Sequence, residues 1–350
     1  MYFAVGLSRK RPDMTTQDWF EKLVGFSESD GYAATQSRLA VEGDQLVSKV
    51  NGKRYGIGEL TIPTLAQLRD RVNPARGQRS SARILVGDVR ELHSDPEFEG
   101  ALFQVASQFN LLEMISERVT PEQGVTGYIY DGTQGPACAM AAAAGTIYRN
   151  YFVSVGDRIG QTRDRQLDAL SGVGAALSGL TGLPVSALWN MQNGYALCTK
   201  EGLAAIAHLL ETVSEDDRDA LREKLAIGLH RDVEVTDGSG HRVSQAYCSA
   251  LPVGYSAHGK GNWEPFARLV LQASYEAILL AATEQVNNGG SNKVLLTRIG
   301  GGVFRNGDDW IDSAIERAMG IVKDAGLEII FVAHGSVNTG TQGIVDRYGP

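Results

Sequence analysis

From residue 84 onward the chain repeats one texture: a short apolar run, a turn, then a stretch whose apolar residues recur every three or four positions. Runs at 84–89, 101–106, 193–198, 242–253, 294–299 and 327–333 fit strands, because they are short, apolar and bounded by turn-forming residues. Between them lie helical patterns. Trp263, Phe266, Leu269, Val270, Ala273, Ala277, Ile278 and Ala281 form one buried face, and Trp310, Ile311, Ala314, Ile315, Ala318 and Met319 form another. Residues 203–229 are helical by periodicity, and 167–183 read as a buried helix and its turn. After residue 333 only a polar tail remains. Strands alternating with helices predict an α/β protein with helices flanking a largely parallel or mixed sheet.

The first 80 residues differ. Asn51-Gly52 between two apolar segments is a hairpin signal, and Thr64 fits the cap of a helix running through Arg71. A polar, basic stretch at 73–81 then reads as a boundary. The expected organisation is an extension over 1–80 packed on a main domain over 81–350.

Composition narrows the class. A chain of 350 residues with 43% hydrophobic content can bury one large core or two modest ones. A net charge of −8 argues against broad binding to nucleic acid or to a membrane, while leaving room for a local anion site. Cys138, Cys198 and Cys248 are odd in number and lack CxxC spacing, which suits a reducing compartment. The six histidines show neither HxxxH nor HxH spacing, and no metal is expected; His258, in a polar glycine loop, reads as solvated. Residues 1–10 lack the apolar core of a signal peptide, and the alanine-rich run near Met140 is too interrupted to span a bilayer. The expected location is cytoplasmic, with secretion by a specialised route left open.

Candidate chemistry gathers where strands end. Gly300-Gly301-Gly302-Val303-Phe304 follows a strand and precedes a helix, so its backbone N–H groups could hold an anion such as a diphosphate. Gln134-Gly135-Pro136-Ala137-Cys138 opens a second helix whose small residues permit close approach of a ligand. Asp88 and Asn110 close two apolar strands, where ligands of open α/β sheets collect.

Taken in order, Gly87-Asp88-Val89, the strand ending in Asn110, the helix start at Gln134 and the loop at Gly300 resemble the macrodomain, an ADP-ribose-binding fold. The resemblance covers roughly residue 83 to the C-terminus. It implies a three-layer α/β/α fold with a mixed central sheet. It also implies adenine binding by Asp88 with Val89, ribose contact by Asn110, and a diphosphate loop at residues 299–304, which Asn306 closes. Asn193 to Thr199 is similar to the family's Gly-Glu-Ala-x-x-Thr strand. The runs 131–139, 247–253 and 300–304 resemble a poly(ADP-ribose)-glycohydrolase-like branch that removes ADP-ribose from protein arginine side chains. No cofactor is implied, and the partners are ADP-ribose and an ADP-ribosylated protein. The Gln-Glu-Glu signature of poly(ADP-ribose) glycohydrolases is missing, which speaks against chain cleavage.

Such a hydrolase needs a carboxylate near C1 of the distal ribose to orient or deprotonate water. Asp131, just before the helix start, leads; Glu113 is second; Asp308 and Asp309 are third and fit helix caps equally well. Two readings compete. A nicotinamide dehydrogenase fails because Arg305 replaces the third glycine of GxGxxG and too little chain follows. A non-catalytic ADP-ribose reader shares every binding residue and differs only in lacking the acid at C1.

Overall fold

The computed structural model describes residues 18–74, 77–236, 238–256 and 259–349; His258 and residues 1–10 lie outside them. The middle layer is a seven-stranded mixed sheet of β1 (Glu59–Thr61), β2 (Ser81–Val86), β3 (Leu102–Ala106), β4 (Gly228–Glu234), β5 (Arg242–Cys248), β6 (Lys293–Leu296) and β7 (Glu328–Ala333). Across the sheet the order is β1-β4-β5-β3-β6-β7-β2. The last five in that order run parallel, whereas β4 is antiparallel to both of its neighbours.

The flanking helices are α1 (Leu65–Arg71), α2 (Val89–Ser94), α3 (Gln134–Ala141), α4 (Ala143–Tyr151), α5 (Lys200–Thr212), α6 (Lys260–Asn287), α7 (Asp308–Ile321) and α8 (Thr339–Tyr348). Strand alternation decides which layer each residue meets. On one face His93 of α2 stacks on Phe103, Gln245 donates to the Cys138 carbonyl of α3, and Arg149 of α4 covers the Tyr247 ring. On the other face the Ser274 hydroxyl of α6 donates to the Ser249 carbonyl, just past β5. There α6 packs against α1, α5 and α7. The three-layer arrangement with a mixed sheet is therefore present. All five parallel strands end on the same edge, so the loops after Val86, Ala106, Cys248, Leu296 and Ala333 meet there.

Several elements differ from expectation. The helical pattern of 203–229 is two helices and a strand: α5 ends at Thr212, a second helix spans Glu215–Arg222, and β4 begins at Gly228. Ser214 starts the second helix with a capping box, which breaks the first, and the acidic Glu215-Asp216-Asp217 run is its first turn. The 193–198 run pairs only with Trp189–Gln192, in a hairpin outside the main sheet. It does not occupy a strand position of that sheet. The polar tail holds α8, whose N-cap Asn338 accepts from Gly340 and Thr341 amides.

The hairpin around Asn51-Gly52 forms between Gln45–Ser48 and Arg54–Gly56, and Thr64 caps α1 with a capping box. Strand β1 pairs with β4, however, and Leu65 and Leu68 of α1 lie in the main core. The part of the first 80 residues that packs outside the main core therefore ends near Gly58. A second core joins Phe20, Leu23, Val24, Leu39 and Leu46 to Leu112, Val125, Tyr128, Met140, Ile147 and Tyr151 of the main body.

Candidate functional site

The converging strand ends enclose a cavity of about 310 Å³. The glycine loop forms one wall. Gly300 adopts φ +75° and Arg305 φ +57°, and the loop closes on itself through Asn306 N–H to the Gly300 carbonyl at 2.9 Å. The Asn306 side chain donates to the Leu251 carbonyl at 2.9 Å, and Tyr275 of α6 receives the Ile299 N–H at 2.8 Å. These ties hold Gly300, Gly302, Val303 and Phe304 on the cavity. Opposite lies the start of α3 with Gln134 and Gly135. A Cβ at Gly135 would run into the Ala106 carbonyl, so only glycine lets the helix start this close to β3.

Three aromatic rings form a third wall: Tyr195 and Tyr255 lie 5.3 Å apart, and Phe304 is 5.6 Å from each. Burial, then Tyr255, then the carboxylates of Asp131 and Glu117 push the Tyr195 phenol up. A second cavity of about 270 Å³, lined by Asp88, Val89 and Ala137, shares Thr133, Gln134 and Thr297 with the first. The two form one groove along the edge of the sheet.

Two acids border the main cavity in opposite states. Asp131 is partly exposed, and its Oδ1 accepts from the Thr133 amide at 2.9 Å. The Glu113 carboxylate is sealed, with a side-chain exposure of 0%, 3.3 Å from the equally buried Arg149. Burial pushes the Glu113 carboxyl up to about 7, against the lowering pull of Arg149 and the hydrogen bond to Tyr128. Arg149 also packs 3.7 Å over Tyr247 and meets His230, which burial and the Arg149 charge hold down at about 3.

Three-dimensional comparison aligns this chain with crystal structures of bacterial poly(ADP-ribose) glycohydrolases. The Deinococcus radiodurans enzyme in complex with ADP-ribose superposes with a TM-score of 0.44 and 12% identity, over 83% of this chain and 93% of that one. The Thermomonospora curvata enzyme gives 0.42 and 12%, over 91% and 97%. Its complex with the inhibitor ADP-HPD gives 0.38 and 14%, over 90% and 97%. No protein-family profile matches the sequence, and no curated protein does.

The groove thus brings together Asp88, Val89, Gln134, Gly135, Ala137, Asp131, Glu113, Gly300, Gly302, Val303 and Phe304. Other candidates lie elsewhere or have other work. Asn110 is fully buried off the groove; its amide donates to Gln166 at 2.8 Å and accepts from Leu112 N–H, so it braces the loop after β3. Cys138 is buried, donated to by Gln134 at 3.1 Å, and its thiol is pushed well up by burial. Gly301 sits outside the cavity lining, where an added Cβ would meet Ile311. The Gln134 amide stitches α3 to β3, accepting from Ala106 N–H at 3.0 Å and donating to the Gln104 carbonyl at 2.6 Å.

Asp309 is exposed and paired with Arg268; Asp308 pairs with Arg298 at 2.7 Å. Asp88 caps α2 through Arg90 N–H at 2.8 Å while still lining the second cavity. The aromatic wall of Tyr195 and Tyr255 and the lining by Thr297 and Arg298 escaped the sequence reading. Thr297 and Arg298 had one signal, their place between β6 and the glycine loop, and Tyr255 had its place after the β5 run; Tyr195 had none, since its hairpin lies outside the main sheet. Among the described residues no group of three or more His, Cys, Asp or Glu could hold a metal ion, and no helix is long and apolar enough to cross a membrane.

Proposed function

We propose that this protein binds ADP-ribose and removes it from mono-ADP-ribosylated protein, hydrolysing the N-glycosidic bond between the distal ribose and an arginine side chain. The observation that carries this reading is a single cavity bounded by an anion-suited glycine loop, a helix start, an accessible carboxylate and three aromatic rings. Asp88 and Val89 in the adjoining cavity suit the adenosine end. The backbone of Gly300–Phe304 and the start of α3 suit the diphosphate. That orientation directs the distal ribose and its adduct toward Asp131, Tyr195 and Tyr255.

An arginine adduct is a planar cation, which stacks on aromatic faces and pairs with a carboxylate. Asp131 is the acid we assign to the reaction, because it borders the cavity and is open to it. It would take a proton from water as the water oxygen bonds C1 and the C1–N bond breaks. The nitrogen keeps the bonding pair, so the arginine leaves as a neutral guanidine and regains its proton from the medium. The transition state gathers positive charge on the ribose, which the same carboxylate stabilises. Glu113, sealed against Arg149, shapes the cavity from behind.

The test is release of ADP-ribose from proteins modified on arginine, glutamate or serine. Release from arginine alone is expected. Asp131→Asn should lower turnover by about 100-fold or more with ADP-ribose binding retained. Tight ADP-ribose binding with no release from any linkage would make the protein a reader, and release from serine or glutamate alone would overturn the arginine assignment.

A further inference from the structure

The N-terminal unit holds the segment before Asp131 through Glu28 above all. Both carboxylate oxygens of Glu28 accept the Val125 N–H, at 3.0 and 2.9 Å; Oε2 also accepts the Thr126 N–H at 2.6 Å, and Oε1 the Tyr151 hydroxyl at 2.8 Å. Trp19 adds an indole N–H to the Thr126 carbonyl at 3.1 Å. The preceding Gly124 has φ +78°, and a Cβ there would run into the Glu28 carboxylate. Burial raises the Glu28 carboxyl, and the bonds from Thr126, Val125 and Tyr151 oppose that rise.

What Glu28 holds leads directly to the reacting acid. From Thr126 the chain forms a single 3-10 turn, Thr126–Tyr130, and the Asp131 N–H donates to the Tyr128 carbonyl at 3.1 Å. The Tyr128 hydroxyl accepts the Glu113 N–H at 3.0 Å, which ties the turn to the back of the cavity. Tyr32 and Gln36 secure the end of α4, donating to the Asn150 and Tyr151 carbonyls at 2.9 and 2.6 Å. The loop that carries Asp131 is therefore gripped at its origin by charge-assisted bonds from a unit outside the sheet.

We infer that Glu28 is a positioning residue for Asp131, which makes the N-terminal unit a working part of the catalytic site. The inference rests on the assignment of Asp131 above. Glu28→Gln keeps the size and turns an amide group toward backbone donors. Amide exchange over residues 121–131 should quicken by about tenfold. Turnover on ADP-ribosyl-arginine protein should fall by roughly 10- to 100-fold, while ADP-ribose affinity by calorimetry stays within about twofold. Tyr151→Phe, which removes one bond, should give the same pattern at smaller size and serves if Glu28→Gln does not fold.

Unchanged exchange in both variants overturns the inference. So does faster exchange with unchanged turnover, or an affinity that falls in step with turnover. A wild-type protein that binds ADP-ribose but releases it from no linkage fails the functional assignment instead, and the exchange measurement then decides alone whether Glu28 holds the segment.

Discussion

Behind the cavity, Glu113 and Arg149 meet at 3.3 Å with no exposed side-chain surface. On the opposite helical face, Asp219 takes Arg69 at 2.6 Å, Arg222 at 2.9 Å and Arg317 at 3.0 Å, with about a third of its side chain exposed. The residue types match and the outcomes oppose. Hydrogen bonds from Arg69, ahead of those from Arg222, hold the Asp219 carboxyl down at about 2, whereas burial drives Glu113 up to about 7. A carboxylate with several guanidinium donors and some exposed surface is stabilised as the ion; one with two long contacts from one guanidinium nitrogen and no exposed surface is not. The far face thus uses charge to join α1, α6, α7 and the Glu215–Arg222 helix, and the near face keeps a poorly compensated pair beside the cavity.

Breaking the sealed pair should cost most. Arg149→Leu leaves the buried Glu113 without its guanidinium and should lower stability by about 3–5 kcal/mol in denaturant unfolding. Arg317→Met on the far face leaves Asp219 and Glu276 with Arg69 and should cost only about 1.5 kcal/mol. Equal losses would mean that the two clusters do not differ as argued.

The near face is also tightly packed. Gly135→Ala must displace the Ala106 carbonyl and presses on Glu113 Cγ at 3.4 Å, so a loss of about 1–3 kcal/mol is expected. Gly302, on the cavity with nothing within 4 Å of an added Cβ, offers the contrast: Gly302→Glu should leave thermal stability nearly unchanged while weakening ADP-ribose binding strongly in calorimetry.

The pH dependence separates the clusters by sign. Glu113 holds its proton more tightly in the folded state, so its contribution is complete below pH 4.5 and is lost as pH rises through about 7. Asp219 contributes above pH 3.8 and loses that contribution as pH falls through about 2. Glu113→Gln should therefore flatten the decline in stability between pH 5 and 8, and Asp219→Asn should leave that slope alone while flattening the loss in acid. The smallest effect is expected at Asp309→Asn, an exposed partner of Arg268: below about 0.5 kcal/mol, with unchanged turnover.

Much of this was legible before any coordinates. The glycine loop, the start of α3 and the Gly87-Asp88 strand end carry local rules of turn and helix initiation, and all three border the groove. Asn110 misled because a polar residue after a strand can face either the ligand or the loop, and here it bonds Gln166 and Leu112. The strand β4 misled because Leu221, Leu225 and Leu229 fall four apart and so continue a helical pattern, although Leu225, Ile227 and Leu229 also alternate as a strand between two partners does.

By itself the sequence determined the alternation of elements, the caps and the residues placed at strand ends, since each depends on neighbours a few positions away. Only the tertiary structure decided which of the two acids on the cavity is open and which is sealed. Glu113 and Asp131 both belong to loops at the carboxyl edge of the parallel strands, yet one is sealed on Arg149 and the other is open. That difference comes from α4 and the N-terminal unit packing behind the segment between them, and side-chain burial across such distances leaves no mark in local pattern.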